Sequence, residues 1–295
     1  MSEFTTGSMS LGPGARRPAE GVFRVLVYAL HAVKYAELTA RKRSDLFVGG
    51  DPHDGRVDMD YFVWVAVSAE RVCAIDTGFG PEVAARRGRR YIQSPAESLS
   101  VLGIDPRRVE DVVVTHMHYD HVGNFDLFPN ARFHVQDREL AFATGRQMTH
   151  SFMRAAYEVD DVVALVRAVY DGRVVFHDGD ALIAPGIEAF LVGGHTRGLQ
   201  AVRVATERGA VVLASDTSHY YENVEEGRIF SILDSAADVL EGYGRLRELA
   251  ARPELIVPGH DPLVLRRYPP SDDRLAGLAA RLDVEPGPGA VRTTA

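Results

Sequence analysis

The segment Thr115–His121 (THMHYDH) carries the strongest chemical signal in the sequence, since three histidines and an aspartate fall within its last six positions. Imidazole nitrogens and carboxylate oxygens are the ligands that Zn²⁺ and related divalent cations prefer. A tight loop can point some of these side chains at one centre and the others at a neighbouring centre. The motif therefore predicts a metal site and allows two adjacent ions.

Three later motifs could complete such a site, and each follows an apolar run typical of a buried strand. They are Val192–Thr196 (VGGHT), Ala214–Asp216 (ASD) and Pro258–Asp261 (PGHD), which supply a histidine, an aspartate and a histidine. An earlier turn, Asp76–Gly78 (DTG), also follows an apolar run. With these motifs the sequence resembles the metallo-β-lactamase superfamily over roughly residues 22–265.

The resemblance implies both a fold and a ligand set. The fold is an α/β (α+β) αββα sandwich, in which two mixed β-sheets are flanked by helices. The first ion would be held by His116, His118 and His195. The second would be held by Asp120, His121 and His260, and Asp216 would bridge the two ions. Asp76 would brace the metal-binding loop. The resemblance implies two Zn²⁺ per chain, with Fe, Co or Mn as alternatives.

Two close divalent ions define a class of reaction. A water shared between them loses a proton near neutral pH, and the metal-bound hydroxide can attack a carbonyl that one ion polarises. Asp120, a ligand with a free carboxylate oxygen, could carry a proton to the leaving alkoxide. The sequence thus predicts a metal-dependent hydrolase of a small-molecule lactone or ester.

Within the superfamily, the chain is most similar to the N-acyl homoserine lactone lactonases, enzymes of quorum quenching with seven ligands and an insertion before the third histidine. Residues 122–194 supply that segment. In that group a tyrosine commonly stands three residues after the bridging aspartate and donates a hydrogen bond to the substrate carbonyl. Here that position is His219, followed by Tyr220, so both side chains are candidate catalytic donors.

Other branches of the superfamily fit less well. Glyoxalase II thioesterases add a helical C-terminal domain, whereas only 35 residues follow His260. The commonest lactamases use a cysteine ligand, but the single cysteine, Cys73, lies in a strand-like run. A hydrolase of other carboxylic esters or thioesters remains an alternative. A mononuclear iron persulfide dioxygenase and a non-catalytic binding module are alternatives of different classes.

Apolar runs predict the strands that must position these motifs. Residues 22–30 and 61–75 are predicted as buried strands, and 111–115 leads directly into the metal motif. Residues 31–60 contain turn-forming dipeptides such as Asp54–Gly55 and are predicted as a long loop. Further helices are predicted at 95–103, 138–144 and 235–251, and further strands at 173–177, 187–192, 201–205, 210–215 and 255–258.

These elements predict one metallo-β-lactamase-like domain over residues 21–268, with an insertion at about 137–172, a mobile N-terminal tail at 1–20 and a C-terminal tail at 269–295. Apolar side chains in the insertion recur at helical spacing, which we interpret as helix core rather than pocket lining: Phe152, Met153, Tyr157, Val162, Val163, Val166 and Val169. The remaining histidines are expected to be solvated or hydrogen-bonded side chains: His31, His53, His134, His150 and His177.

Charge and composition exclude several classes of partner. The chain has 33 Lys and Arg against 41 Asp and Glu, a net charge of −8, so no nucleic-acid partner is expected. No apolar run reaches the length of about 18 residues that a membrane span needs. The lone cysteine and the absence of an apolar signal run predict a cytoplasmic protein. A homodimer through residues 31–60 is a hypothesis taken from the lactonases.

Overall fold

Two β-sheets form the centre of the molecule in the computed structural model, which describes residues 26–287. The predicted tail at 1–20 lies outside these residues. The strands are β1 (Ala29–Lys42), β2 (Arg56–Val67), β3 (Val72–Ile75), β4 (Arg90–Tyr91), β5 (Asp111–Val113), β6 (Arg132–Gln136), β7 (Val174–His177), β8 (Ala181–Ala184), β9 (Ile187–Leu191), β10 (Gln200–Thr206), β11 (Gly209–Ser215), β12 (Ile256–Pro258) and β13 (Ala279–Arg281).

The α-helices lie mostly between these strands. They are α1 (Arg43–Leu46), α2 (Pro81–Arg87), α3 (Pro95–Val101), α4 (Asp137–Ala143), α5 (Ser151–Arg154), α6 (Val159–Tyr170), α7 (Tyr221–Glu226), α8 (Ala236–Leu249) and α9 (Leu263–Arg267). Among residues 26–287, no helix has the length and apolar character that crossing a bilayer requires.

Both sheets are mixed. The first has the order β13-β1-β2-β3-β5-β6-β7, with β4 paired to β1, and its β3, β5, β6 and β7 run parallel. The second has the order β12-β11-β10-β9-β8, and only β11 and β12 are parallel. Because parallel strands end at the same edge of a sheet, the loops that follow them can meet there.

The core lies between the two sheets and on their outer faces. In β2, Trp64 packs in one cluster with Leu213 of the second sheet, whereas the next residue, Val65, packs with helix residues on the opposite face. This alternation follows from the two-residue period of a strand. Leu165 of α6 belongs to the outer cluster of the first sheet, and Leu246 of α8 packs with the second sheet. The predicted αββα arrangement is therefore confirmed.

The predicted long loop at 31–60 is wrong except for residues 47–55, which connect α1 to β2. β1 continues to Lys42 and β2 begins at Arg56, and the two strands pair along almost their whole length. Charged residues obscured the strand pattern, but these charges compensate one another, since the Lys34 ammonium lies 2.7 Å from both Glu37 and Asp60. Register shifts in the pairing also interrupt the simple alternation of apolar and polar positions.

The C-terminal tail prediction is also wrong for its first part. β13 pairs antiparallel with β1, and the Leu282 amide donates a 2.7 Å hydrogen bond to the Leu30 carbonyl. Leu282 is fully buried between the sheets. A three-residue strand of alanine and arginine gives little sequence signal, and its partner lies far away in the chain. Residues 288–295 of the predicted tail lie outside the described part.

The predicted helical insertion occupies the connection between β6 and β7. It contains α4, α5 and α6, and Tyr157 and Leu165 are buried in the outer core of the first sheet. Phe152, in contrast, is 64% exposed, and together with Met153 it lines a cavity. The interpretation of this segment as helix core therefore holds for only some of its apolar residues, because α5 lies over an opening in the protein.

Candidate metal centre

The motif His116–His121 begins three residues after the end of β5 and is fixed by Asp76, which follows the neighbouring parallel strand β3. One Asp76 oxygen accepts a 2.7 Å hydrogen bond from the Thr115 amide, and the other accepts from the Thr115 hydroxyl and from His121 Nδ1. Asp76 itself has a left-handed backbone conformation, with φ of +64°. These contacts support the bracing role expected for Asp76.

Three other strands deliver the remaining side chains to the same place. His195 follows β9, Asp216 follows β11 and His260 follows β12. The residue before His260 must be glycine because a Cβ at Gly259 would lie 2.8 Å from the Ser215 carbonyl oxygen. The ends of strands from both sheets thus converge on one buried point.

The structure brings all seven predicted ligands together, and each of these side chains is buried. Their candidate ligand atoms fall into groups within which all atoms lie within 4.8 Å of one another: His116, His118, His195 and Asp216; Asp120, His121 and His260; and Asp216, His219 and His260. Apart from His219, these groups contain only the seven residues predicted as ligands, and their binding of metal stays a prediction.

Asp216 lies between the first two groups. Its Oδ2 is 3.2 Å from His195 Nε2 and 3.7 Å from His116 Nε2. Its Oδ1 is 2.9 Å from His260 Nε2 and 3.2 Å from His121 Nε2. Each carboxylate oxygen therefore faces a different group, which is the geometry that a bridging ligand requires.

The donor atoms of this cluster are suited to metal binding. Within residues 26–287, Nε2 of His116, His121 and His260 and Oδ1 of Asp216 are buried without a hydrogen-bond partner. Burying such groups unpaired is costly, so they mark a place where cations can bind. Burial and the neighbouring imidazoles also hold the pKa of His116 well below its usual value, which keeps a lone pair available.

The opposite ring nitrogens of three histidines are fixed by acceptors. His121 Nδ1 lies 2.7 Å from Asp76, His195 Nδ1 lies 2.7 Å from the Ile232 carbonyl, and His260 Nδ1 lies 2.8 Å from the Asp60 carbonyl. A proton on Nδ1 donates to each acceptor and leaves Nε2 free to coordinate. The protein thus orients these rings toward the centre of the cluster.

Glu139 on α4 is a residue that the sequence analysis missed. Its buried carboxylate accepts hydrogen bonds from the Met117 amide at 2.8 Å, the Thr196 hydroxyl at 2.6 Å and the Gly198 amide at 3.0 Å. It therefore joins the loop that carries His118 to the loop that carries His195. No sequence motif indicates this role, because Glu139 looks like any other acidic residue in the first turn of a helix.

The two predicted catalytic donors have different surroundings. His219 is buried on the cavity lining, with Nε2 3.0 Å from Asp216 Oδ2 and its ring stacked 3.6 Å from that of Phe230. The Tyr220 hydroxyl instead donates to the Asp58 carbonyl at 3.3 Å, and Tyr220 does not line this cavity. The structure does not support Tyr220 as a donor, because its hydroxyl is directed to Asp58 and away from the cavity.

The remaining histidines lie outside the cluster. His31 Nδ1 is 2.9 Å from the Ser271 hydroxyl. His134 Nδ1 is 3.0 Å from His177 Nε2, and His134 Nε2 is 2.9 Å from Asp111. The expectation of hydrogen-bonded side chains is confirmed for these three, whereas His53 and His150 are exposed.

A cavity of about 300 Å³ opens directly above the cluster. Two larger cavities, of about 1050 and 1160 Å³, lie elsewhere and contain none of the seven predicted ligands. The two larger cavities are therefore not the candidate active site, because predicted ligands line only the smaller cavity. A ligand in the smaller cavity would contact both the His and Asp cluster and the apolar side chains above it.

The architecture and the site define the class of protein. Residues 60–260 match the metallo-β-lactamase superfamily, and this stretch includes all seven predicted ligands. The chain belongs to that superfamily.

More particular relatives are lactonases. The chain is 31% identical over 173 residues to N-acyl homoserine lactonase AttM of Azorhizobium caulinodans, a match that covers 56% of this chain and 62% of that relative. The chain therefore spans less than two thirds of the relative's length.

Solved structures of similar fold include an N-acyl homoserine lactone hydrolase with the product N-hexanoyl-L-homoserine bound at its catalytic metal centre. It has a TM-score of 0.65 and 20% identity and covers 80% of this chain and 94% of its own. A dizinc quorum-quenching lactonase, AidC, has a TM-score of 0.63 and 16% identity, covering 81% and 89%. At these identities the likeness shows the fold.

Proposed function

We propose that this protein is a dinuclear metal-dependent hydrolase, with zinc as its metal, that opens the ring of lactones of the N-acyl homoserine lactone kind. The observation that carries the proposal is Asp216, whose two oxygens face two separate groups of buried histidines. The lactonase names of the relatives and the dizinc neighbour support the choice of substrate and metal.

In this proposal each group of side chains holds one ion. His116, His118 and His195 with Asp216 Oδ2 would hold the first; Asp120, His121 and His260 with Asp216 Oδ1 would hold the second. Two divalent ions there would supply a water-derived nucleophile near neutral pH and polarise the substrate carbonyl.

Asp120 is the proposed proton carrier. Its Oδ2 lies 3.7 Å from His260 Nε2 and 3.9 Å from His121 Nε2, which directs that oxygen toward the second group. Asp120 lines the cavity, so its other oxygen could take up a proton there and pass it to the leaving alkoxide.

His219 is the proposed hydrogen-bond donor to the substrate carbonyl. Burial lowers the pKa of His219 to about 4, so the ring is neutral and carries a single N–H. On Nε2 this hydrogen lies toward Asp216 Oδ2, 3.0 Å from the nitrogen, and it would be available to the substrate only when that oxygen binds an ion. Stacking on Phe230 fixes the ring plane at the edge of the cavity. A fixed neutral donor can stabilise an oxyanion without introducing another charge beside the cations.

The alternatives predict different contents of the site. A hydrolase of other carboxylic esters or thioesters would use the same residues and differ only in substrate. A persulfide dioxygenase would use one iron, and the second group, Asp120, His121 and His260, would then have no function. The complete second group favours two ions.

The deciding experiment measures metal per chain and hydrolysis of a panel of N-acyl homoserine lactones, with Asp120→Ala as the control. About two zinc ions and ring opening that Asp120→Ala abolishes would support the proposal. Two zinc ions without lactone turnover would move the substrate to other esters, and one iron would refute the mechanism.

A cytoplasmic location and a homodimer are further proposals. The first is supported by the single cysteine, which is buried. For the second, residues 31–60 form most of the β1–β2 pair rather than a loop, so that any dimer through them would use these strands. Light scattering of the purified protein tests the dimer.

A further inference from the structure

The cavity above the cluster has two kinds of wall. One is apolar and is formed by Met59, Phe142, Phe152, Met153, Ile232 and Leu233. The other is polar and aromatic and contains Arg41, Arg87, Arg89, Tyr61 and Tyr119. Three guanidinium groups therefore line a cavity for which the proposed substrate is uncharged.

The charge of Arg87 is already compensated. Its Nε lies 2.7 Å from a Glu158 oxygen, and its two terminal nitrogens donate to the carbonyls of Ala155 and Tyr157. The guanidinium also stacks 3.9 Å above the ring of Tyr119. Arg87 thus acts as a structural support for α5 and for the aromatic wall.

Arg89 and Arg41 have no such compensation. Arg89 Nε donates to the Tyr119 hydroxyl at 3.0 Å, and one terminal nitrogen donates to the Arg87 carbonyl. Within residues 26–287, neither Arg89 nor Arg41 forms an ion pair, and both are half-buried. Partly buried cations without an anion are unfavourable, which indicates that an anionic ligand completes them.

The carboxylates on the cavity lining do not provide that anion. Asp120 and Asp216 belong to the candidate metal centre, and Asp45 is exposed and forms no ion pair within the described residues 26–287. If the proposed function holds, two divalent ions add four positive charges against two ligand carboxylates. The cavity is then positive although the chain as a whole carries −8, and such a local field attracts anions.

Two tyrosines connect Arg89 to the candidate metal centre, and Arg89 itself forms no hydrogen bond or ion pair with the seven predicted ligands within residues 26–287. The Tyr61 ring contacts the His260 ring at a centroid distance of 5.3 Å, and the Tyr61 hydroxyl is 3.1 Å from that of Tyr119. The Tyr119 hydroxyl in turn accepts the hydrogen bond from Arg89 Nε at 3.0 Å. An anion bound to Arg89 would therefore be separated from the scissile bond by two phenol groups.

We propose that Arg41 and Arg89 select substrates that carry an anionic group, such as a carboxylate, at the end remote from the lactone or ester bond. This inference rests on the proposed function for the scissile bond. A cavity of about 300 Å³ favours a compact carboxylate, since this volume is at the lower end for small-molecule sites.

The test compares two N-acyl homoserine lactones of equal chain length, one ending in a methyl group and the other in a carboxylate. We expect kcat/KM to favour the carboxylate by about tenfold at low salt, since a charge-assisted hydrogen bond contributes about that factor. The preference should shrink as salt is added. Arg89→Met and Arg41→Met should each bring the ratio of the two rates toward one.

Matched variants separate charge from fold. Arg90→Met removes the neighbouring guanidinium, which pairs with Glu37 and does not line the cavity, and should leave the ratio unchanged. Arg89→Lys keeps the charge and should keep most of the preference. If Arg89→Lys loses the preference for the carboxylate-ended lactone as fully as Arg89→Met does, and its melting temperature also falls, the effect comes from packing. That result would refute the charge assignment.

A binding measurement distinguishes failure of this inference from failure of the proposed function. Calorimetry would use a carboxylate-ended lactam, which keeps its ring. Lactone turnover with no carboxylate preference overturns the inference and leaves the proposed function intact. Lactam binding that depends on Arg89, without lactone turnover, supports the anion site and refutes the lactonase activity.

Discussion

Two clusters of histidine and aspartate lie at opposite ends of β5, and they differ in how their polar atoms are satisfied. In the cluster of Asp111, His134 and His177, one Asp111 oxygen pairs with Arg132 and His134, and the other pairs with Arg71. In the candidate metal centre, three buried imidazole nitrogens have no hydrogen-bond partner among residues 26–287. A candidate metal site is therefore indicated by buried ligand atoms that converge without hydrogen-bond partners. A high density of histidine and aspartate alone does not indicate one.

The largest expected effect comes from removing the bridge between the two groups. Asp216→Asn replaces one of the two carboxylate oxygens by an NH₂ group, which cannot coordinate a metal. The protein should therefore lose at least one ion. Lactone hydrolysis should fall by about 1000-fold, since metal ions supply several kcal/mol of transition-state stabilisation. Elemental analysis and rates measure both effects. Retention of two ions in this variant would refute the bridging role. His134→Gln, in the other cluster, is the control and should keep both ions.

The other cluster should respond in stability instead of metal content. Asp111→Asn leaves His134, Arg71 and Arg132 without their buried carboxylate, which should lower the free energy of unfolding by about 3 kcal/mol. Urea denaturation in the presence of a chelator measures this loss. Asp105→Asn, which breaks the exposed pair with Arg107, is the control and should cost less than about 1 kcal/mol. If Asp111→Asn loses metal and keeps its stability, the two clusters do not differ in the way proposed.

Glu139 sharpens the comparison because it supports the metal centre without belonging to it. Glu139→Gln puts an NH₂ group among donors from two ligand loops, so His118 and His195 should lose their fixed orientation. Zinc affinity should weaken by about 10- to 100-fold, the usual effect of removing an outer partner of a ligand. Chelator competition measures it, with the exposed Asp137→Asn on the same helix as control. Equal affinity in both variants would show that Glu139 only packs.

The smallest effect concerns Asp161, a buried carboxylate on α6 beside the metal loop. Burial, with the charges of Glu158 and Asp160, raises the pKa of Asp161 to about 7. Because the folded state then holds the proton more tightly than the unfolded state, this group costs stability increasingly as pH rises from about 4 to about 7. Above that range the cost is constant.

Asp161→Asn should therefore stabilise the protein at pH 8 and have little effect near pH 4. The gain should be about 1 kcal/mol, since Glu158 and Asp160 are partly exposed and salt screens their charges. Thermal unfolding at several pH values in a chelator measures it, and Asp126→Asn, at an exposed site, is the control. A gain that does not vary with pH would contradict the raised pKa.

The sequence alone identified the superfamily and predicted the candidate ligand set. His116, His118, Asp120 and His121 lie in one short loop, so their spacing reports their arrangement directly. His195, Asp216 and His260 could be found because each ends an apolar strand within a recognisable motif. The strands that carry these motifs were predicted for the same reason, since buried strands have a strong local pattern.

Only the tertiary structure decided the surroundings of those ligands. Glu139, Arg89 and the Tyr61–Tyr119 pair gain their roles through contacts between segments far apart in the chain, and no local pattern encodes such contacts. The strand character of residues 31–60 was likewise hidden, because Lys34, Glu37 and Asp60 neutralise one another only once β1 and β2 pair. His219 and Tyr220 are adjacent in sequence, and the fold placed only His219 at the cavity.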